Sequence, residues 1–292
     1  MREGIIQKGI GGFYDILSQG EIFRCRARGR FRKLGLTPMV GDYVRFIPET
    51  EITEGSLEEI LPRKNNLKRP PVANIDNLAI VIAPTQPDPD FFLVDKLMIT
   101  AEKLNIKTIL IINKIDLVEQ ESLNYIIEDY LPTNYKIHLI SSKLGYGIEE
   151  LSNELQGITT LAGQSGVGKS SIINRIHPGT NLKTGSVSKK LQQGRHTTRQ
   201  VELLSLPGGG MIVDTPGFSQ IEITDLEPED LQDYYPEYVI FKHDCYFQRC
   251  THTAEPYCKV REAIENGRLP KNRYERYKYF IEEIKEKRRN LW

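Results

Sequence analysis

The pattern of apolar and polar positions divides the chain into three stretches. Over residues 1–68 it shows short alternating runs punctuated by glycine. Phe23-Arg24-Cys25-Arg26-Ala27-Arg28-Gly29-Arg30-Phe31-Arg32 alternates strictly. In a strand this puts Arg24, Arg26, Arg28, Arg30 and Arg32 on one face, and Phe23, Cys25, Ala27 and Phe31 on the other. Val40 to Phe46 reads as the next strand, after a turn at Pro38. Several short strands in so few residues predict a small all-β barrel. From Leu78 onward the apolar runs no longer alternate: Leu78–Ala83, Thr108–Ile112, Ile137–Ile140 and Thr159–Ala162. Helical stretches near 90–104, 120–130 and 147–155 separate them. Strands of that kind are buried on both faces, and their alternation with helices predicts an α/β domain built on a parallel sheet. Two more strands, Val201–Ser205 and Met211–Val213, follow a long polar stretch over 181–200. After Glu227 the chain turns helical and rich in aromatics, and it ends in a charged helix over 272–289. The expected organisation is an all-β domain over 1–68, an α/β domain over 72–222 and a helical domain over 223–292, with Pro70-Pro71 marking the first boundary.

Composition adds limits. Hydrophobic residues make up 39% and charged residues 27%, as in soluble globular chains and unlike disordered ones. The longest apolar runs are too short to span a bilayer, and the first residues lack the apolar core of a signal peptide. The net charge of zero conceals an asymmetry. Residues 1–70 hold 13 Lys/Arg and 9 Asp/Glu (+4), residues 71–236 hold 13 and 21 (−8), and residues 237–292 hold 13 and 9 (+4). Basic ends suit nucleic acid and an acidic middle does not. The row of five arginines is therefore read as an RNA-contacting face, with a solvated, aggregation-resistant edge as the bland alternative.

The chemistry lies in four motifs. Gly163-Gln164-Ser165-Gly166-Val167-Gly168-Lys169-Ser170 fits G-x-x-x-x-G-K-[ST], follows a predicted strand and opens a predicted helix. Its glycines let backbone N–H groups, those of the helix start at Ser170 and Ser171 included, close around phosphate oxygens. Lys169 reaches the β/γ-phosphates, and the Ser170 hydroxyl suits Mg²⁺. Asn113-Lys114-Ile115-Asp116 sits at the carboxyl end of the strand Ile109–Ile112, where open α/β sheets bind ligands. Asp116 can accept from guanine N1–H and the 2-amino group; adenine offers neither, so a buried carboxylate would lose roughly 1–3 kcal/mol with the wrong base. Ser142 and Lys143, in Ser141-Ser142-Lys143, complete the base pocket, and the nucleotide expected is GTP or GDP. Asp214-Thr215-Pro216-Gly217 follows a strand; Asp214 suits Mg²⁺ and the Gly217 amide a γ-phosphate. Thr197 and Thr198, in Gly194-Arg195-His196-Thr197-Thr198, offer further hydroxyls. Lastly, Cys245-x₄-Cys250-x-His252-x₅-Cys258 is a closed Cys₃His set of structural zinc type. It would take the place of a core the segment lacks, and such reduced cysteines imply a cytoplasmic setting.

The order of these motifs is rotated: the base-reading elements precede the phosphate loop. In this order, with an arginine-rich barrel before them and a Cys/His cluster after them, the chain resembles the ribosome small subunit-dependent GTPase A family of circularly permuted GTPases. The resemblance implies an N-terminal OB-fold, a permuted GTPase domain and a C-terminal zinc domain. It also implies a role in late maturation of the small (30S) ribosomal subunit, with 16S rRNA as a partner and hydrolysis stimulated by that subunit. A glutamine follows D-x-x-G in many GTPases, but Phe218 stands here and cannot orient water. The family resemblance places a catalytic histidine in the preceding loop, and His196 is that candidate; capping the loop or touching RNA are its alternatives. Because the D-x-x-G loop leads directly toward the cysteines, nucleotide state is expected to set the position of the zinc domain. Nothing in the sequence demands more than a monomer. Two rival readings are a GTP-gated RNA scaffold with incidental hydrolysis and a P-loop kinase.

Overall fold

A computed structural model describes residues 1–68, 70–179, 201–214, 223 and 225–290; for Arg30, Arg32 and Asp214 it describes the backbone alone. His196, Thr197, Thr198, Gly217 and Phe218 lie outside the described residues.

The chain begins with five strands: β1 (Arg2–Ile10), β2 (Phe13–Ser18), β3 (Glu21–Ala27), β4 (Tyr43–Ile47) and β5 (Gly55–Ile60). They close in the order β1-β2-β3-β5-β4-β1, with β3 and β5 parallel and the other pairs antiparallel, which is an OB-fold barrel. Ile6, Ile16, Cys25, Val44, Phe46 and Leu57 fill it, the inward half of each alternating strand. The arginine row corrects the sequence reading. β3 stops at Ala27 and a one-turn helix, α1 (Arg30–Lys33), follows and buries Phe31. Residues two apart do not share a helix face, so the five arginines form no single strand face. Only Arg24 and Arg26 lie on β3, and the fold brings acids to both, Asp15 at 3.8 Å from Arg24 and Glu54 at 3.9 Å from Arg26; Arg28, just beyond the strand, meets Glu58 at 2.7 Å.

A short hairpin, β6 (Asn66–Lys68) and β7 (Pro71–Ala73), leads into the α/β region. There the chain runs β8 (Asn77–Ile82), α2 (Phe91–Lys103), β9 (Lys107–Ile112), α3 (Glu121–Tyr130), β10 (Lys136–Leu139), α4 (Ile148–Glu154), β11 (Ile158–Ala162), α5 (Lys169–Ile176), β12 (Glu202–Ser205) and β13 (Met211–Asp214). Sheet order is β10-β9-β8-β11-β13-β12. The first five are parallel and carry an apolar cluster on each face, as unbroken apolar strands require. At one edge the sheet departs from parallel pairing. β12 runs antiparallel to β13 and pairs in turn with β1 of the barrel, where Lys8 meets Glu202 at 2.8 Å. Barrel and sheet are thus one hydrogen-bonded surface.

The C-terminal region comprises 3₁₀ turns over Pro228–Tyr234 and Pro236–Tyr238, then α6 (Val239–Lys242), α7 (Lys259–Glu265) and α8 (Lys271–Arg289). Contrary to the sequence reading, this segment has a core of its own: Leu231, Tyr235, Tyr238, Val260, Tyr277, Phe280 and Ile284, joined by Ile99 of α2. A buried ion network fastens it to the sheet helices. Arg273 of α8 pairs with Asp95 of α2 and, at 2.5 Å, with Glu237. Arg276 pairs with Asp95 at 2.5 Å and with Asp129 of α3 at 3.1 Å. Burial opposes the charge on Arg273, but Glu237 and Asp95 more than offset it, and the guanidinium stays protonated.

Candidate functional site

Parallel strands deliver their carboxyl ends to one edge, so residues 113–116, 141–143 and 163–170 and the backbone of Asp214 gather there. Asn113 joins them. Fully buried, it donates from Nδ2 to the Val167 carbonyl at 2.8 Å and accepts the Ser142 N–H on Oδ1 at 3.0 Å. A Cβ at Gly168 (φ +101°) would lie 2.3 Å from Asn113 Nδ2, so the phosphate loop can pass the asparagine only with glycine there. Gly163 (φ +129°) is equally constrained, its absent Cβ falling 2.1 Å from the Val81 carbonyl oxygen.

Gln164, Ser165 and Gly166 form the outer rim of the loop, with Gly166 in the left-handed region (φ +86°), and Val167 is buried beneath them. α5 opens at Lys169, followed by the partly buried Ser170 and Ser171. Lys169 Nζ folds back to the carbonyls of Gly163 (2.7 Å) and Gln164 (2.8 Å), and burial pulls its pKa down to about 8.

On the base side, Ser141 Oγ donates to Asp116 Oδ1 at 2.6 Å. Asp116 itself is exposed, not buried as the discrimination argument assumed. It becomes desolvated only when a base covers it. Lys114, at φ +64°, donates from Nζ to the Gln86 carbonyl, and Pro87 lies against Gly166. The loop over 84–90 therefore contacts both the base-reading and the phosphate segments, which sequence reasoning missed because it carries no motif. β13 runs beside β11 and brings Asp214 to the same edge as the phosphate loop.

The second cluster is Cys245, Cys250, His252 and Cys258, whose ligand atoms all lie within 4.8 Å of one another. Three sulfurs and one nitrogen this close fit a tetrahedral zinc ion. His252, buried and at φ +57°, donates from Nε2 to Gln232 Oε1 (2.9 Å), because an amide oxygen only accepts; Nδ1 then faces the sulfurs. Nδ1 is 3.2 Å from Cys258 Sγ and 3.7 Å from Cys245 Sγ. Burial pushes the Cys250 and Cys258 thiols up and His252 down to about 4, so the imidazole is neutral and ready to ligate. Gln232 also donates to the Cys250 carbonyl at 3.2 Å, a role no local spacing announced.

A purine-reading loop that precedes its phosphate loop in the chain, yet is bolted to it by one asparagine, defines a circularly permuted GTPase. Comparison with known proteins agrees. The RsgA GTPase family matches residues 60–224, and the RsgA N-terminal domain matches residues 3–56. The chain belongs to the RsgA GTPase family. It is 45% identical to the small ribosomal subunit biogenesis GTPase RsgA of Geobacillus sp. (strain WCH70), over 99% of both chains. To the protein of the same name from Ruminiclostridium cellulolyticum it is 46% identical, over 98% of this chain and 95% of that one. Among solved structures, YjeQ from Thermotoga maritima superposes with a TM-score of 0.83 at 38% identity, over 97% of this chain and 98% of that one. YloQ, described as a circularly permuted GTPase, superposes with a TM-score of 0.82 at the same identity, over 98% and 96%.

Proposed function

We propose that this chain hydrolyses GTP in the biogenesis of the small ribosomal subunit, acting as a cytoplasmic monomer on the 30S particle and its 16S rRNA. The observation that carries the nucleotide assignment is the Asn113 bridge, which makes residues 113–116, Ser142 and Lys143 one pocket with the loop 163–171. In this reading Asp116 selects guanine, Lys114 lies along the base, and the amides of 163–170 cradle the phosphates with Lys169. Ser170 and Asp214 stand at the same sheet edge and would hold Mg²⁺, which neutralises charge on the β- and γ-phosphates when bound. Thr197, Thr198 and Gly217 would respond to the γ-phosphate, and His196 would position the attacking water. The Cys₃His set would hold one structural zinc. Arg24, Arg26 and Arg28, with Arg30 and Arg32 just beyond, supply the barrel's RNA contacts. Phe13 supports the assignment, since Arg24 and Arg26 lie over its ring at 5.5 and 5.7 Å, an aromatic-cation surface of the kind RNA uses. The domain limits 1–68, 72–222 and 223–292 follow this division of labour. Nucleotide state would be felt by the zinc region through α2 as well as through the chain after Asp214.

The test is phosphate release from GTP with and without purified small subunits, beside the same assay with ATP and with His196→Ala. Expected are subunit-stimulated turnover with GTP only, and a fall of roughly 10²–10⁴-fold in the variant at unchanged GTP affinity. Equal use of ATP, or turnover indifferent to the subunit, would overturn the reading.

A further inference from the structure

Left-handed backbone is uncommon at residues other than glycine and asparagine. Among the described residues it occurs at Gln19, Gln86, Lys114, His252 and Tyr257. Gln19 sits in the tight turn between β2 and β3. His252 belongs to the cysteine cluster and Tyr257 directly precedes Cys258. The remaining two face each other, since the Lys114 ammonium donates to the Gln86 carbonyl. Strain of this kind persists only where the surroundings hold it, and it collects at functional sites. Lys114 is the lysine of N-K-x-D, whereas Gln86 belongs to no motif.

The surroundings of Gln86 are stiff. It lies in Pro84-Thr85-Gln86-Pro87-Asp88-Pro89-Asp90, where the three prolines have φ fixed by their rings. Both ends of this loop are anchored. Before it, the Ile82 carbonyl accepts the Asn113 N–H at 2.9 Å, which sets β8 against the base-reading segment. After it, Asp90 caps α2 by accepting the Leu93 N–H at 2.9 Å. Between them Pro87 Cδ lies 3.6 Å from where a Cβ of Gly166 would stand, so the phosphate loop backs the turn. The Gln86 side chain is exposed and makes no hydrogen bond among the described residues. What the position offers is therefore its backbone carbonyl. Lys114 forms no ion pair among the described residues, so this carbonyl is what holds its ammonium. A lysine stem has large rotamer freedom, and a stem fixed before the ligand arrives lowers the ordering cost of binding.

We infer that Gln86 is a positioning residue of the base pocket. Its left-handed backbone aims the carbonyl that fixes Lys114, and the fixed stem of Lys114 is the surface along which guanine lies. The inference deepens the reading of residues 113–116 as a guanine pocket and rests on it.

The experiment measures Kd of fluorescent GDP for the full chain. It compares wild type, Gln86→Asn, Gln86→Ala, Gln86→Val, Lys114→Met and Gln86→Val/Lys114→Met, with urea denaturation as the check on folding. Asparagine tolerates the left-handed region, alanine less so, and β-branched valine least. Methionine keeps an unbranched stem and deletes the ammonium. Expected for Gln86→Val is a loss of roughly 5- to 30-fold, which is a left-handed penalty of about 1–2 kcal/mol converted at 1.4 kcal/mol per decade. Gln86→Asn stays within about twofold of wild type, and Gln86→Ala falls between the two. With Lys114→Met already present, valine weakens binding by less than about twofold, because the carbonyl has no donor left to hold. Wild-type affinity in both Gln86→Val and Gln86→Ala overturns the inference. So does an equal loss in Gln86→Asn, which assigns the effect to the side chain. An undiminished valine effect beside Lys114→Met overturns it too, by routing the effect past the lysine. Wild type that binds ADP as well as GDP would instead strike the guanine reading, and that comparison is made separately.

Discussion

Asn113→Ala probes the bridge on which the nucleotide site depends. The substitution deletes two hydrogen bonds, from Nδ2 to the Val167 carbonyl and from the Ser142 N–H to Oδ1. Asn113 is fully buried and Val167 nearly so, so the orphaned Val167 carbonyl begins in a dry place, whereas Ser142 is only partly buried and its N–H is nearer to water. Each buried unsatisfied group costs about 1–3 kcal/mol, and the pair gives a ceiling of about 6 kcal/mol. Water admitted by the smaller side chain recovers part of that, and about 2–4 kcal/mol is the expected total. Both bonds exist without nucleotide, so much of the loss appears as lowered stability. The rest appears as weaker binding, because loops no longer held in register must be ordered by the ligand. If half goes to binding, GDP affinity falls by roughly 5- to 30-fold at 1.4 kcal/mol per decade. Fluorescent-GDP titration and urea denaturation measure the two shares. Asn113→Asp, which keeps the acceptor for Ser142 but sets a carboxylate against the Val167 carbonyl, should bind GDP less well than wild type. An alanine variant within twofold of wild type in both measurements would show that the two loops hold their places independently, and the argument would fail.

The remaining predictions are briefer. Lys169 has its pKa lowered to about 8 by burial in the free chain, while phosphates favour its charged form and raise it on binding. Nucleotide affinity should therefore be level below pH 8 and fall by up to about tenfold per unit above it, until the bound-state pKa is reached; Kd of GDP measured from pH 7 to 10 checks this, and Lys169→Met should flatten the profile. Gln232→Leu removes the acceptor that orients His252 and should weaken zinc by roughly 10- to 100-fold in chelator competition, whereas Gln232→Glu should retain it. Asp95→Ala removes the carboxylate shared by Arg273 and Arg276 but leaves Glu237 to the first and Asp129 to the second, so it should lower unfolding free energy in denaturant by about 3 kcal/mol, the lower end of the cost of breaking a buried pair.

What the sequence revealed tracks how local each cause is. Buried parallel strands are unbroken apolar runs, so β8, β9, β10 and β11 appear within a residue or two of their observed limits. The phosphate loop and the N-K-x-D run are legible because backbone approach and base recognition each need a fixed residue type at a fixed spacing. The arginine row misled because the strand ends at Ala27, and a helical turn from Arg30 then continues the same alternation without sharing its geometry. The β12–β1 pairing depends on partners nearly the whole chain apart and leaves no trace in either segment. Arg273 and Arg276 sit on a helix whose composition reads as solvated. What buries them is Asp95, brought close only by the fold. Gln232 is invisible for the same reason, since an amide has a role there only once His252 stands 2.9 Å away.

These long-range attachments constrain how nucleotide state reaches the flanking regions. Rotating the C-terminal region away from the sheet would break the Asp95–Arg273–Arg276–Asp129 network, at about 3–5 kcal/mol for one stranded buried charge. Typical coupling free energies between two sites are about 1–3 kcal/mol. Breaking the network thus costs more than a typical coupling supplies, and α2, α3 and α8 are expected to stay together. α2 is capped at Asp90, shortly after the loop whose Gln86 carbonyl holds Lys114 and whose Pro87 lies against Gly166. Lys114 is thus tied to the loop that leads into α2, and α2 is tied through Asp95 to the C-terminal region, which is the route by which base binding is expected to act there. On the other side, β12 lies between β13, which ends in Asp214, and β1 of the barrel, so paired backbone connects the barrel to the Asp214 edge of the pocket. Both flanking regions are joined to the nucleotide edge by secondary structure rather than by linkers, which is what a GTPase needs if its hydrolysis is to report on the surface it is bound to.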